Sequence, residues 1–371
     1  MFFWLAYDLS QSAVIAGTVI FAGTIPYLIF GLPGGVYADR WDRKRTMLGA
    51  EILRTGVVLV IPISAVVIGL NIWVIAAVAF ALATIRCFYH PSMKSAITSI
   101  LHDTERSAGV SLMEVTTRSM QVIGLAAGGY LISGVGAQNL TLISAVLFAV
   151  SVVLLWFLAV PQRKGKPEDQ SLWSDMVESL GYVIRMPSLF WAFALFFFGL
   201  LIVVGLEQVG LPILSDTVWG RGPEGFGILL SAFSLGSILG SLVLGRDDIK
   251  RLSLCMTIGW AVWGLSFAAL AVSPFGLALF FALLSGVADA MVSVPMVLMI
   301  QTRVREDQIG KVFSIWSTSA FLGESCSALL MGGLIQRLGS EATFGAAGLV
   351  LACVSLGGWA IRQAKRKRCE T

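Results

Sequence analysis

Charge is what this sequence has least of. Only 13% of its 371 residues are Asp, Glu, Lys or Arg, against about 25% in an average soluble domain, and the mean hydropathy is +0.84. That balance excludes an ordinary water-soluble domain. Histidine is scarcer still: His90 and His102 are the only two, too few for a His-based metal site. The five cysteines (Cys87, Cys255, Cys326, Cys353 and Cys369) show no C-x-x-C spacing, and four fall in apolar runs. They read as small packing residues, not as a disulfide or metal framework. No G-x-x-x-x-G-K-[ST] loop is present, so nothing points to ATP hydrolysis. The start carries neither a basic leader nor a small-residue cleavage site, which argues against a signal peptide. No cofactor, metal or nucleic-acid partner is expected.

What is present is a series of apolar runs of bilayer length. Spans are expected at 13–38, 46–69, 72–89, 108–133, 141–160, 189–214, 226–244, 252–272, 275–299, 309–335 and 344–361, each near the roughly 20 residues a membrane crossing needs. Residues 1–7 are apolar too, but so short a run cannot cross about 30 Å of hydrocarbon at 1.5 Å per residue. Residues 1–9 are read as the tail of a first helix whose beginning is absent. Pro91 is expected to bend the end of its helix. In the long polar stretch 161–187, Leu172, Met176, Leu180 and Ile184 recur every four residues, the pattern of an amphipathic helix lying at the interface.

Between the first two spans sits a charged knot, Gly35-x-x-x-Asp39-Arg40-x-Asp42-Arg43-Lys44. Lys and Arg gather in alternate loops: at Arg40–Arg45, Lys94 and Arg106, Arg163–Lys166, Arg246–Arg251, Arg303–Lys311, and the tail from Arg362. The intervening loops hold only Arg221 and, at the edge of the last, Arg337. A positive-inside distribution of this kind places the carboxyl terminus in the cytoplasm.

The knot resembles the signature of the major facilitator superfamily, G-x-x-x-D-R-x-G-R-K, which joins the second and third spans of that family; Asp42 stands where the family has glycine. The residues 5–9 are similar to the end of the family's first span. The chain also repeats. Pro91 precedes Gly128-Gly129 by the interval that separates Pro295 from Gly332-Gly333, and Arg40 with Lys44-Arg45 is echoed by Arg246 with Lys250-Arg251. The resemblance implies an all-α polytopic membrane protein with two parallel six-helix repeats, here eleven full spans and a remnant of the first. It implies an amino-terminal bundle over 1–160, a cytoplasmic linker over 161–187, and a carboxy-terminal bundle with basic tail over 188–371. It also implies a bacterial inner-membrane monomer.

In that family the signature Asp lies near the amino terminus of the eleventh span, which would begin near Gln308. Gly35, Asp39, Arg40, Arg43 and Lys44 would then form a conformational latch; Asp39 and Arg43 can pair if one helix extends through both. Gly124, Gly128 and Gly129 partly match the fifth-span antiporter pattern G-x-x-x-G-P-x-x-G-G, with Met120 for the first glycine and Leu125 for the proline. Gly124, Gly128, Gly129, Gly332 and Gly333 are also candidates for plain helix packing.

Charges inside spans are expensive, so each must face a partner or a wet cavity. They are Arg86, Glu114, Arg118, Glu207, Asp289 and Glu324, the candidates for substrate or proton handling. By resemblance Arg86, Glu207 and Asp289 lie on cavity-lining helices, Arg118 and Glu324 on flanking ones. Glu114 is four residues before Arg118 and can pair with it locally. Asp289 and Glu324 are the deepest acids; an acid moving between buried and wet surroundings can load and release a proton. Arg86 and Arg118 are the bases that would oppose them, and a static network of acids and arginines is the alternative. Glu51 and Arg54, within about two turns of the cytoplasm, are read as snorkelling or as support for the latch.

The segment from Pro91 through 93–101, and the linker ending at Arg185-Met186-Pro187, look most like the branch holding macrolide-efflux and siderophore-export proteins. The function this implies is export of a small organic molecule against proton entry, by rocking of the two halves. An uptake permease and a transport-inactive scaffold or sensor are the alternatives.

Overall fold

Long apolar runs become long helices, because only a helix satisfies every backbone donor and acceptor inside its own segment when lipid surrounds it. The computed structural model describes residues 1–100, 106–160, 181, 184–244, 252–305 and 308–370, and no strand occurs among them. In chain order the helices are α1 (Phe2–Ser10), α2 (Ala13–Arg40), α3 (Arg43–Val67), α4 (Ile72–Ile100) and α5 (Arg106–Phe157). Then follow α6 (Pro187–Gly205), a π-helical turn (Leu206–Gly210), α7 (Leu211–Thr217), α8 (Gly222–Leu244), α9 (Leu252–Ala271), α10 (Phe275–Arg303), α11 (Ile309–Leu338) and α12 (Ser340–Glu370). The amphipathic helix expected near 172–184 lies almost wholly outside the described residues.

Ten segments among the described residues are long and apolar enough to cross a membrane. One of them, 122–157, contains a break at Gly136 (φ 83°, ψ 154°). This break divides α5, whose 52 residues would otherwise reach about 80 Å at 1.5 Å per residue. Two spans were expected here, at 108–133 and 141–160, and the turn falls in the gap between them, on Gly136, where glycine alone takes this positive φ without strain. Polar side chains brace the turn: Asn139 Nδ2 donates to the Val135 carbonyl at 2.8 Å, and Thr141 Oγ1 donates to the Gln138 carbonyl.

Polar residues inside spans satisfy themselves locally. Thr18, Ser234 and Ser285 each donate a hydroxyl to the carbonyl four residues back, at 2.8–2.9 Å, which removes most of the cost of burying them. Outward-facing positions are apolar: Val66, Trp73 and Phe157 are 85%, 77% and 81% exposed, as lipid-facing side chains should be.

The helix that carries the span expected at 72–89 runs on through Pro91 to Ile100. Proline lacks the N–H that would bond the Cys87 carbonyl. At that carbonyl α2 comes close, for a Cβ on Gly34 would collide with Cys87 O. Glycine is therefore required at 34.

The chain divides into two compact units, residues 1–124 with 130–170, and residues 125–129 with 171–371. In the first, α4 packs against α2 and α3, and α1 lies on α2 and α4 with Phe3, Trp4, Leu5 and Ala6 buried. In the second, α10 packs between α8 and α9, α9 meets α12, and α6 meets α11. Its core is aromatic. Trp260 stacks on Trp263 (5.4 Å, 10°), and Phe196 sits edge-on to both Trp260 and Trp316. These contacts fix α6, α9 and α11, two of which carry or adjoin acids considered below.

Candidate functional site

The charged knot between α2 and α3 is not one continuous helix. α2 ends at Arg40, Trp41 stacks on Phe88 (6.0 Å, 17°), and α3 opens at Arg43. Asp42 is the N-cap of α3, its Oδ1 accepting from the Arg45 backbone N–H at 2.8 Å. That explains a carboxylate where the related signature has glycine: Asp is among the best N-caps. The break also means that Asp39 and Arg43 do not share a helix face, so the four-residue pairing argument fails for them. Lys44 Nζ donates to the Trp156 carbonyl at 2.8 Å, satisfying a carbonyl in the last turn of α5 that has no helical partner. The side chains of Gly35, Asp39 and Arg40 lie outside the described residues, and so do those of Glu114 and Arg118.

The first unit holds a buried charged cluster. Glu51 and Arg54 are 3% and 9% exposed, not snorkelling toward water. Arg54 Nη1 donates to Glu51 Oε1 at 3.0 Å across one turn of α3. The Arg54 guanidinium lies 4.3 Å from the Tyr89 ring centroid and 5.8 Å from that of Phe148, and the Tyr89 hydroxyl sits beside the Glu51 carboxylate. The spacing of Glu51 and Arg54, three apart on a helix, was the available signal for an ion pair. Arg86, on α4, donates to the Tyr27 hydroxyl oxygen of α2. Tyr27, Arg54, Arg86, Tyr89, His90 and Phe148 line a cavity of about 450 Å³.

In the second unit three acids from three segments converge. Glu207 lies in the π-helical turn, Asp289 on α10 and Glu324 on α11, and the Glu207 carboxyl interacts electrostatically with both of the others. Ser237 Oγ of α8 donates to Asp289 Oδ2 at 2.7 Å. The π turn is anchored at its entry, where the Gly205 backbone N–H donates to the buried Ser327 Oγ at 2.6 Å. A Cβ at Gly205 would collide with the Ser327 carbonyl, and one at Gly210 with the Phe344 ring, so both glycines let the turn press onto its neighbours. π turns inside α-helices occur frequently at functional sites. The sequence singled out these acids one by one; their convergence and the π turn it did not show.

Of the glycines proposed for packing, Gly129 makes a tight contact. Residues 125–129 group with the second unit, where a Cβ on Gly129 would fall 2.5 Å from the Pro223 carbonyl oxygen and 3.1 Å from Gly227 Cα. At Gly124, Gly128 and Gly333 a Cβ would meet nothing within 4 Å among the described residues, and no close packing there calls for glycine. Gly332 is buried.

Comparison with known proteins supplies a frame for this geometry. A family model described as Major Facilitator Superfamily matches the chain twice, over residues 1–218 and 208–368. The chain is 24% identical over 367 residues to the Uncharacterized MFS-type transporter YfiS of Bacillus subtilis (strain 168), covering 95% of this chain and 85% of that protein. It is 25% identical over 364 residues to the Multidrug efflux pump Tap of Mycolicibacterium fortuitum, covering 92% and 85%. With Macrolide efflux protein A of Streptococcus pyogenes it shares 23% over 354 residues, covering 93% and 86%. Among solved structures, the nucleoside transporter NupG superposes with a TM-score of 0.70 at 14% identity, over 95% of this chain and 93% of that one. That likeness speaks for the fold alone.

Proposed function

The chain belongs to the major facilitator superfamily and is a multi-pass membrane transporter, and from that premise we propose that it exports a small organic molecule in exchange for protons. The observation that carries the reading is the convergence of Glu207, Asp289 and Glu324 in the second unit. Acids brought together within spans need cations, water or protons to compensate them. Such a group changes its proton occupancy when its access to water changes, which is what alternating access imposes. Asp289 is the leading coupling acid, because a hydroxyl from α8 orients it; Glu324 and Glu207 share its surroundings.

The outward direction of substrate movement is supported by the relatives named as efflux proteins. The bias of Lys and Arg toward alternate loops supports a cytoplasmic carboxyl terminus in a bacterial plasma membrane. The test is an accumulation screen. The chain is expressed in an efflux-deficient bacterial host and challenged with a panel of antibiotics, dyes and organic acids. Lower intracellular accumulation of at least one compound, abolished by a protonophore, is the expected result. Raised accumulation would mean uptake, and exclusion that survives the protonophore would remove the proton as coupling ion.

A further inference from the structure

The cavity of the first unit holds a charge with no carboxylate paired to it among the described residues. Its volume of about 450 Å³ falls within the roughly 300–1,000 Å³ of small-molecule sites. Two guanidinium groups line it, and they differ in their circumstances. Arg54 is neutralised, since Glu51 accepts from it at 3.0 Å and Tyr89 covers one face of it. Among the described residues Arg86 has no carboxylate within ion-pairing distance, and none of those lining the cavity is acidic. The Tyr27 hydroxyl accepts from it among the described residues. A guanidinium has five N–H donors and no acceptor, so most of the Arg86 donors remain for something else. Tyr27, Tyr89 and His90 add polar groups to the wall, and Phe148, Leu82 and Ala83 are among its apolar residues.

A charge within a membrane span pairs with another group or faces a wet cavity. We propose that Arg86 is the counter-charge for the substrate, and that the substrate is therefore an amphiphilic organic anion. Its carboxylate lies on the Arg86 fork and its apolar body lies against Phe148 and Leu82. The planar fork of Arg matches the two oxygens of a carboxylate, and Tyr27 and Tyr89 supply further polar contacts at the same mouth. The inference rests on the reading that the chain carries a small organic molecule. It names that molecule's charge and is independent of the direction of transport.

The test uses purified protein in nanodiscs of zwitterionic phosphatidylcholine, so that no anionic lipid competes, and three probes of one shape. These are 2-naphthoate, 2-naphthamide and 2-naphthylmethylammonium, with binding measured by thermophoresis. Naphthoate is expected to bind about tenfold or more tightly than the amide, as a charge-assisted pair should, and the ammonium weakest. Arg86→Gln should abolish the preference while leaving the amide affinity within about twofold, and Arg86→Lys should restore part of it. Adding anionic phosphatidylglycerol should leave naphthoate binding in place; loss of it would assign the site to a lipid headgroup and overturn the proposal. Equal affinity for naphthoate and amide, a preference that survives Arg86→Gln, or no binding of any probe would also overturn it. None of these outcomes bears on proton-coupled export, which the accumulation screen tests separately.

Discussion

Ser237 Oγ donates to Asp289 Oδ2 over 2.7 Å, and this bond ties α8 to the acid that α10 contributes to the cluster. Asp289 is thereby held in one orientation, and Glu207 interacts electrostatically with it. A hydrogen bond to a charged group is worth about 1.5–3 kcal/mol, enough to decide where a carboxyl points. Ser237→Ala should therefore slow proton-driven export about tenfold with membrane insertion unchanged, and Ser237→Thr, which keeps the hydroxyl, should retain most of the rate. Initial rates in everted vesicles check this; an unaltered rate in the Ala variant would show that the bond does not matter to transport.

The Glu51–Arg54 pair gives a prediction about stability. Glu51→Ala leaves a buried, uncompensated guanidinium and should cost about 3–5 kcal/mol. Replacing both residues together, Glu51→Leu with Arg54→Met, should cost much less, because no charge is stranded. Melting of the purified protein in nanodiscs distinguishes the cases. A double variant as unstable as the single one would mean that the loss comes from packing against Tyr89 and Phe148 rather than from the charge.

These two examples mark the limits of reading the sequence. The spans were legible because a bilayer demands about 20 apolar residues per crossing, a signal that survives any tertiary arrangement. Glu207, Asp289 and Glu324 stood out for the same reason, as charges in apolar runs. Their meeting was not legible, since it depends on which faces three segments present and on the π turn, which shifts the facing of Glu207 relative to an uninterrupted helix. The hydrophobic pattern around Gly205 and Gly210 does not reveal that turn. Depth counted from the nearest loop put Glu51 and Arg54 close to water, yet Tyr89 and Phe148 cover them. Gly34 is a similar case: its need for glycine comes from a carbonyl on another helix.

The π turn itself supplies the third prediction. Gly205→Ala places a methyl group against the Ser327 carbonyl and 2.8 Å from Met331 Cβ. Overpacking of that kind typically costs about 1–3 kcal/mol, and relief of the strain must move the backbone two residues before Glu207. The variant should melt at a lower temperature and lose transport together. Gly124→Ala, at a position where a Cβ meets nothing within 4 Å, serves as the control and should do neither. Wild-type melting and transport in Gly205→Ala would show that α6 and α11 are not in close contact there.

The most direct measurement of the coupling claim is substrate accumulation in proteoliposomes under an imposed pH gradient, compared with exchange at equal pH. The substrate is a compound that the chain excludes from cells, and the variants are Glu207→Gln, Asp289→Asn and Glu324→Gln. A coupling acid, once neutralised, cannot carry the proton, but it leaves the substrate path intact. Asp289→Asn is therefore predicted to abolish gradient-driven accumulation while equilibrium exchange continues, with the other two variants weakening accumulation in the same manner. Full gradient-driven accumulation in all three variants would contradict the account.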